Sequence, residues 1–169
     1  MAQTPVATKS AAIGSPQTAS SDSSTRGMKF SPSVDGEVIG LGVRMPVSAS
    51  KTITLWDFNA QSALASLSIL APGGNSWAYA ALVTPVSLVS GGLYVVSVST
   101  ASAAYYRHVS QTLPMTQGDI GLLKGQYIGG NSFPAATESS ILFVSADIQF
   151  NPTGGIPELG GSWGALEMA

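Results

Sequence analysis

Between residues 27 and 150 the chain alternates short apolar runs with turn residues, and no stretch holds a sustained helical period. Residues 52–58 read Thr-Ile-Thr-Leu-Trp-Asp-Phe. In a strand this puts Ile53, Leu55 and Asp57 on one face and Thr52, Thr54, Trp56 and Phe58 on the other. Residues 93–100 form the clearest strand, with Tyr94, Val96 and Val98 on one face. Residues 141–150 set Leu142, Val144, Ala146, Ile148 and Phe150 against Ser145, Asp147 and Gln149. A looser alternation over 34–47 uses Val38, Leu41 and Val43, with glycines between them that permit bulges. Residues 60–70 fit two periods: Ala60, Leu64 and Leu67 suit a helix, whereas Ala65, Leu67 and Ile69 suit a strand. Pro72-Gly73-Gly74-Asn75 and Gly91-Gly92 read as turns, and Trp77, Tyr79 and Ala81 alternate up to Pro85. Residues 111–130 read as a polar stretch. About eight short strands at this spacing predict an all-β fold, an antiparallel two-sheet β-sandwich of jelly-roll type. Its core should include Leu55, Val96, Val144 and Ile148.

The flanks differ from this core. Residues 1–26 are rich in Ser, Thr, Ala and Gln, and Pro5 and Pro16 interrupt any helix, so the composition predicts an extended low-complexity N-terminal arm. Such an arm has too little apolar surface to offset roughly 1–2 kcal/mol of backbone entropy per residue, and is expected to order only against neighbouring subunits. Residues 151–169 form a second, turn-rich arm, which carries Trp163, Leu166 and Met168. A free tail has no use for a tryptophan, and these three are candidate subunit contacts. The expected organisation is therefore arm 1–26, sandwich 27–150 and arm 151–169.

Charge changes the picture of the surface. Charged residues make up 9% of the chain, against roughly 25% in ordinary soluble domains. The seven Lys and Arg are scattered and the net charge is -2. No basic stripe is present for a phosphate backbone, so no nucleic-acid partner is expected. A surface this poor in charge is weakly protected against association, which points to a homo-oligomer or to cover by other subunits. No apolar run approaches the ~20 residues of a membrane-spanning helix, and no membrane partner is expected. The N-terminus also lacks the apolar core of a secretory leader, which predicts a chain used without export or one whose leader has been replaced.

Candidate chemistry is sparse. The chain has no cysteine, which removes disulfides, thiolate metal sites and cysteine nucleophiles. His108 is the only histidine. It follows Tyr105, Tyr106 and Arg107, and no Gly-x-Ser-x-Gly elbow accompanies it. A polar loop role is the ordinary reading of His108, and the Tyr105-Tyr106-Arg107-His108 cluster is the candidate ligand or subunit contact. One histidine without cysteine makes a poor zinc set, and no Asp-x-Asp-x-Asp-Gly calcium loop is present. Asp35 and Asp57 have turn explanations rather than the paired geometry of a glycosidase. Trp56, Trp77 and Tyr79 could form a sugar-stacking platform, but both tryptophans read as core. No catalytic residue, metal ligand or cofactor site is assigned, and the chain is expected not to be an enzyme.

Seven motifs stand in an order that resembles a known family. They are residues 30–36 (Phe-Ser-Pro-Ser-Val-Asp-Gly), Leu55-Trp56-Asp57, Ser76-Trp77, and Pro85-Val86 with residues 91–97 (Gly-Gly-Leu-Tyr-Val-Val-Ser). Residues 125–130 (Gly-Gln-Tyr-Ile-Gly-Gly), Phe133-Pro134 and Asp147-Ile148-Gln149-Phe150 complete the series. The family is a β-sandwich domain of unknown function that occurs as repeats in secreted bacterial proteins beside carbohydrate-active and adhesion modules. The resemblance implies a sandwich fold and no particular activity. The arms are similar in style to tailed-phage structural proteins such as capsid cement and head, neck or tail decoration proteins. The expected function is thus a non-enzymatic component of a phage virion, bound to copies of itself and to other virion proteins. The alternative is a secreted carbohydrate-binding or adhesion module, extracellular, with a surface glycan as partner.

Overall fold

The computed structural model describes residues 1–153. A short helix, α1 (Pro5–Ile13), leads into β1 (Gln17–Asp22), β2 (Ser24–Pro32), β3 (Gly36–Val43) and β4 (Ala49–Asp57). There follow β5 (Ser62–Ala71), β6 (Ala78–Leu88), β7 (Tyr94–Ser99) and β8 (Ala103–His108). The chain continues with β9 (Met115–Gln117), β10 (Ile120–Gly129), β11 (Ala136–Glu138), β12 (Leu142–Phe143) and β13 (Ala146–Pro152). Every strand pairing is antiparallel. One layer is a seven-stranded sheet in the order β11-β10-β2-β7-β4-β5, with β9 also on β10. Two three-stranded sheets, β13-β3-β6 and β1-β8-β12, pack against it. The fold is an all-β sandwich, with its second layer divided into two small sheets.

The core lies between the layers. Leu55, Val96, Val144 and Ile148 are all buried in it, as their alternation predicts. Met28, Phe30, Leu41 and Ile53 fill the same space. Residues 60–70 resolve as strand: Ala65, Leu67 and Ile69 face inward while Ser66, Ser68 and Leu70 are exposed. The polar stretch 111–130 is also strand. Within it β10 runs for ten residues and pairs with β2 along its length, burying Ile120, Leu122 and the uncharged polar Gln126. Glycines at 121, 125 and 129 masked its alternation.

The expected N-terminal arm does not exist as an arm. Residues 5–13 are helical, β1 pairs with β8, and β2 is central to the large sheet. Pro5 does not break the helix, because it occupies the first turn, where its missing N–H has no intrahelical partner to lose. Composition underestimated this segment because its anchoring is polar and long-range. The sandwich therefore begins well before residue 27. The second arm, with Trp163, Leu166 and Met168, falls almost wholly outside the described residues; only its first residues are seen, continuing β13 through Pro152.

Candidate functional site

Three features of the surface and near-surface hold side chains with chemical potential. The first is a buried polar network beneath α1. An α-helix leaves its first four N–H groups without partners, and the Thr4 side chain at the N-cap of α1 gives none of them a capping hydrogen bond. Asp147 of β13 supplies it instead. Its carboxylate accepts from the Val6 N–H at 3.0 Å, the Ala7 N–H at 2.9 Å and the Tyr79 hydroxyl at 2.9 Å. Negative charge at a helix N-terminus is favourable. Asp147 and Tyr79 stand in register on either side of Gly42, across three adjacent strands. A Cβ at Gly42 would lie 2.3 Å from the Tyr79 ring, so only glycine lets the ring cross β3 to reach the carboxylate. Complete burial pushes the Asp147 carboxyl up to about 6, although the hydrogen bonds it accepts act in the opposite sense. Burial and the neighbouring carboxylate push the Tyr79 phenol up as well.

Arg44, also buried, continues the network. It donates to the Val144 carbonyl at 3.2 Å, to Asn75 Oδ1 at 3.1 Å and to Ser10 Oγ at 2.8 Å. Its guanidinium lies between the rings of Trp77 and Tyr106. Ser10 Oγ also stands 2.8 Å from His108 Nε2. Burial and the adjacent Arg44 charge lower the His108 pKa and favour neutral imidazole. A serine within reach of a histidine has the spacing of a nucleophile and its base. Here the hydroxyl is fully buried and already accepts from a guanidinium, so the geometry ties α1 to β8.

The Tyr105–His108 cluster is therefore not an open contact patch. Tyr105, Tyr106 and His108 are buried in their own domain, on a strand rather than a loop, and Arg107 alone stays partly exposed. The Tyr106 hydroxyl donates to the Gly74 carbonyl, and Tyr105 packs on Phe143 beneath the Arg26 guanidinium. β1 and β12 pair with β8 on its two sides.

The second feature is an aromatic group on the outer face of the large sheet. Trp56 is not core: it has the parity of Thr52 and Thr54 and stays partly exposed. Phe133 sits edge-on to Trp56 at 5.7 Å and against Phe58 at 5.9 Å, while Lys29 Nζ lies 4.2 Å above the Phe58 ring. The Trp56 indole N–H donates to Ser97 Oγ at 2.8 Å. Trp77, by contrast, packs partly against the core and stacks on Tyr79.

The third feature is an uncharged edge. Residues 58–106 contain no Asp, Glu, Lys, Arg or His. This segment supplies β5 and β6, which end their respective sheets and meet at one lateral side of the sandwich. Four of the seven large apolar side chains exposed among the described residues belong to these strands or follow them directly: Leu64 and Leu70 on β5, Val83 on β6 and Val89 just after it. Val47 is exposed in the loop beside the turn at Gly73 and Gly74. Single-strand alternation does not mark this edge, because it exists only when β5 and β6 are brought together. The absence of charge over 58–106 was the available signal.

The model of the domain of unknown function DUF4082 matches residues 11–144. The chain belongs to the DUF4082 family. The matched range spans β1 to β12 and takes in only the last residues of α1. No curated protein matches the chain. Among the described residues of this DUF4082 domain, no group of three His, Asp or Glu side chains is placed to hold a metal ion.

Proposed function

We propose that this DUF4082 domain is a non-enzymatic structural subunit of a phage virion, as a capsid cement or decoration protein or a neck or tail accessory protein. The observation that carries the reading is the pair of edge strands β5 and β6, which carry no charged residue and expose Leu64, Leu70 and Val83. Large apolar side chains exposed on the edge strands of a domain this short of charge favour contact with protein over contact with water. Residues 1–26 give this reading no support, since they pack on their own domain. Attachment runs through the open edge, with Trp163, Leu166 and Met168 as a second contact to copies of the chain and to other virion proteins. A mass-spectrometric inventory of particles purified from the system that encodes the chain tests the reading. Its peptides should copurify with the shell or tail proteins at a fixed ratio; their absence from particles overturns it.

A second reading, a secreted carbohydrate-binding or adhesion module at an extracellular location, draws on Trp56, Phe58 and Phe133 on the outer face. Aromatic faces stack on sugar rings, and the family resemblance brings carbohydrate-active neighbours. Retention on a polysaccharide panel that Trp56→Ala abolishes would favour it over the virion reading.

A further inference from the structure

We infer that β5 is a homotypic docking strand: it pairs antiparallel with β5 of a second copy and continues the seven-stranded sheet across a two-fold axis. The inference rests on the proposed reading only in using the same edge. A sheet edge is a row of unpaired N–H and C=O groups, and proteins guard such edges with charge, proline, bulges, shortness or cover. The other edges here are guarded. β11 is three residues long and ends in Glu138, and β9 is also three residues. β12 is two residues, and β1 carries Asp22. The open side of β13 is taken by Gln3, which exchanges two backbone hydrogen bonds with Phe150 at 2.6 and 2.8 Å. β6 carries Pro85, and residues 82–85 bulge out opposite the single residue Ile39.

Among the described residues β5 is the exception: β6 touches it without pairing to it. β5 is ten residues long and has no charge, proline or glycine. One irregularity, at Leu64, interrupts its pairing with β4, and from Ala65 to Ala71 the register is unbroken. Across a two-fold axis each side chain meets its own kind, so a charged strand would repel its copy and an uncharged one would not. Centred on Ser68, the antiparallel pair would set Leu67 against Ile69 and Ala65 against Ala71 on the inner side. Ser66 would face Leu70, and Ser68 its own copy, on the outer side. Small and apolar cross-strand neighbours of this kind are compatible with close pairing.

The test uses the full chain. Its molar mass is measured by sedimentation and by light scattering over a wide concentration range, for the wild type and for Ser68→Lys. The expected result is a twofold mass for the wild type that falls to the monomer value in the variant, with an unchanged β spectrum. A wild type that stays monomeric throughout, or a Ser68→Lys variant that dimerises equally, overturns the inference. Because the chain has no cysteine, Ser68→Cys provides a milder probe. Mild oxidation should give a covalent dimer from Ser68→Cys and none from Thr116→Cys on β9. Equal cross-linking in both, or none in either, also overturns it. A dimer absent from particles would sink the virion reading and leave this inference standing, and a particle-bound monomer would do the reverse.

Discussion

The two margins of the small sheet β13-β3-β6 are finished in opposite ways. At β13, Gln3 extends the sheet by a bridge and α1 lies over the strand, bound by Asp147 and, through Ser10, by Arg44 and His108. At β6, Val83 faces solvent, as Leu70 does on the adjacent edge strand β5. Charged side chains are normally outside and large apolar ones inside. Here Arg44, Lys51 and Asp147 are buried while Leu70 and Val83 are exposed. Asp147 and Arg44 close the β13 margin, whereas β6 and β5 at the other carry no charge. The closed side is an internal clasp, and the open side is a surface suited to contact.

Breaking the clasp should have the largest effect. Asp147→Ala leaves the Val6 and Ala7 amides and the Tyr79 hydroxyl buried without an acceptor. It should cost about 3–5 kcal/mol in urea denaturation near pH 4, where the carboxyl is largely neutral. Amide exchange in α1 should accelerate before exchange in β4 or β7. Loss from all elements alike would mean that α1 and the sandwich are one cooperative unit.

Titration sharpens the comparison next. The Asp147 carboxyl is raised from 3.8 to about 6 in the fold, so between those values the folded protein holds a proton that the unfolded chain has released. Its contribution to stability is fully present below 3.8 and is lost as pH rises through about 6. At 1.36 kcal/mol per pH unit the loss is on the order of 3 kcal/mol. Depressed His108 and Asp22 act in the opposite sense, losing stability as pH falls. The difference between wild type and Asp147→Asn isolates the Asp147 part, and it should move against the wild type from about pH 4 to about pH 7. A pH-independent difference would mean that the hydrogen bonds from α1 and Tyr79 offset the burial.

Smaller effects follow from single contacts. Ser10→Ala removes the link between Arg44 and His108 and should cost about 1–2 kcal/mol, read as a lowered urea midpoint. At the opposite margin, Leu70→Ser should change monomer stability by no more than about 0.5 kcal/mol while reducing self-association at high concentration. A large stability loss from Leu70→Ser would make that side chain part of the fold rather than of a contact surface.

Much of the core was legible from alternation, because Leu55, Val96, Val144 and Ile148 sit at the period-two positions that a half-buried strand requires. β10 was not legible: Gly121, Gly125 and Gly129 interrupt its pattern, and its inward Gln126 is polar. The same rule puts Asp147 on the outer face of its sheet but gives no sign of its burial. It lies on that face, yet it is buried because α1 covers it.

Composition and periodicity by themselves determined an antiparallel β-sandwich with little charge and no thiol chemistry, since strand parity and residue counts are local properties. Partnerships across many positions belong to the tertiary structure. Residues 1–13 have too little apolar surface to order alone, and they are ordered because Asp147, Asp119, Arg44 and His108 come from distant elements to meet them. Residues 62–71 carry an unremarkable run of Ser, Ala and Leu, and they become an open uncharged edge because the sheet order places β5 last, beside β6. Burial and exposure follow from which element lies on top, and a one-dimensional pattern carries no record of that.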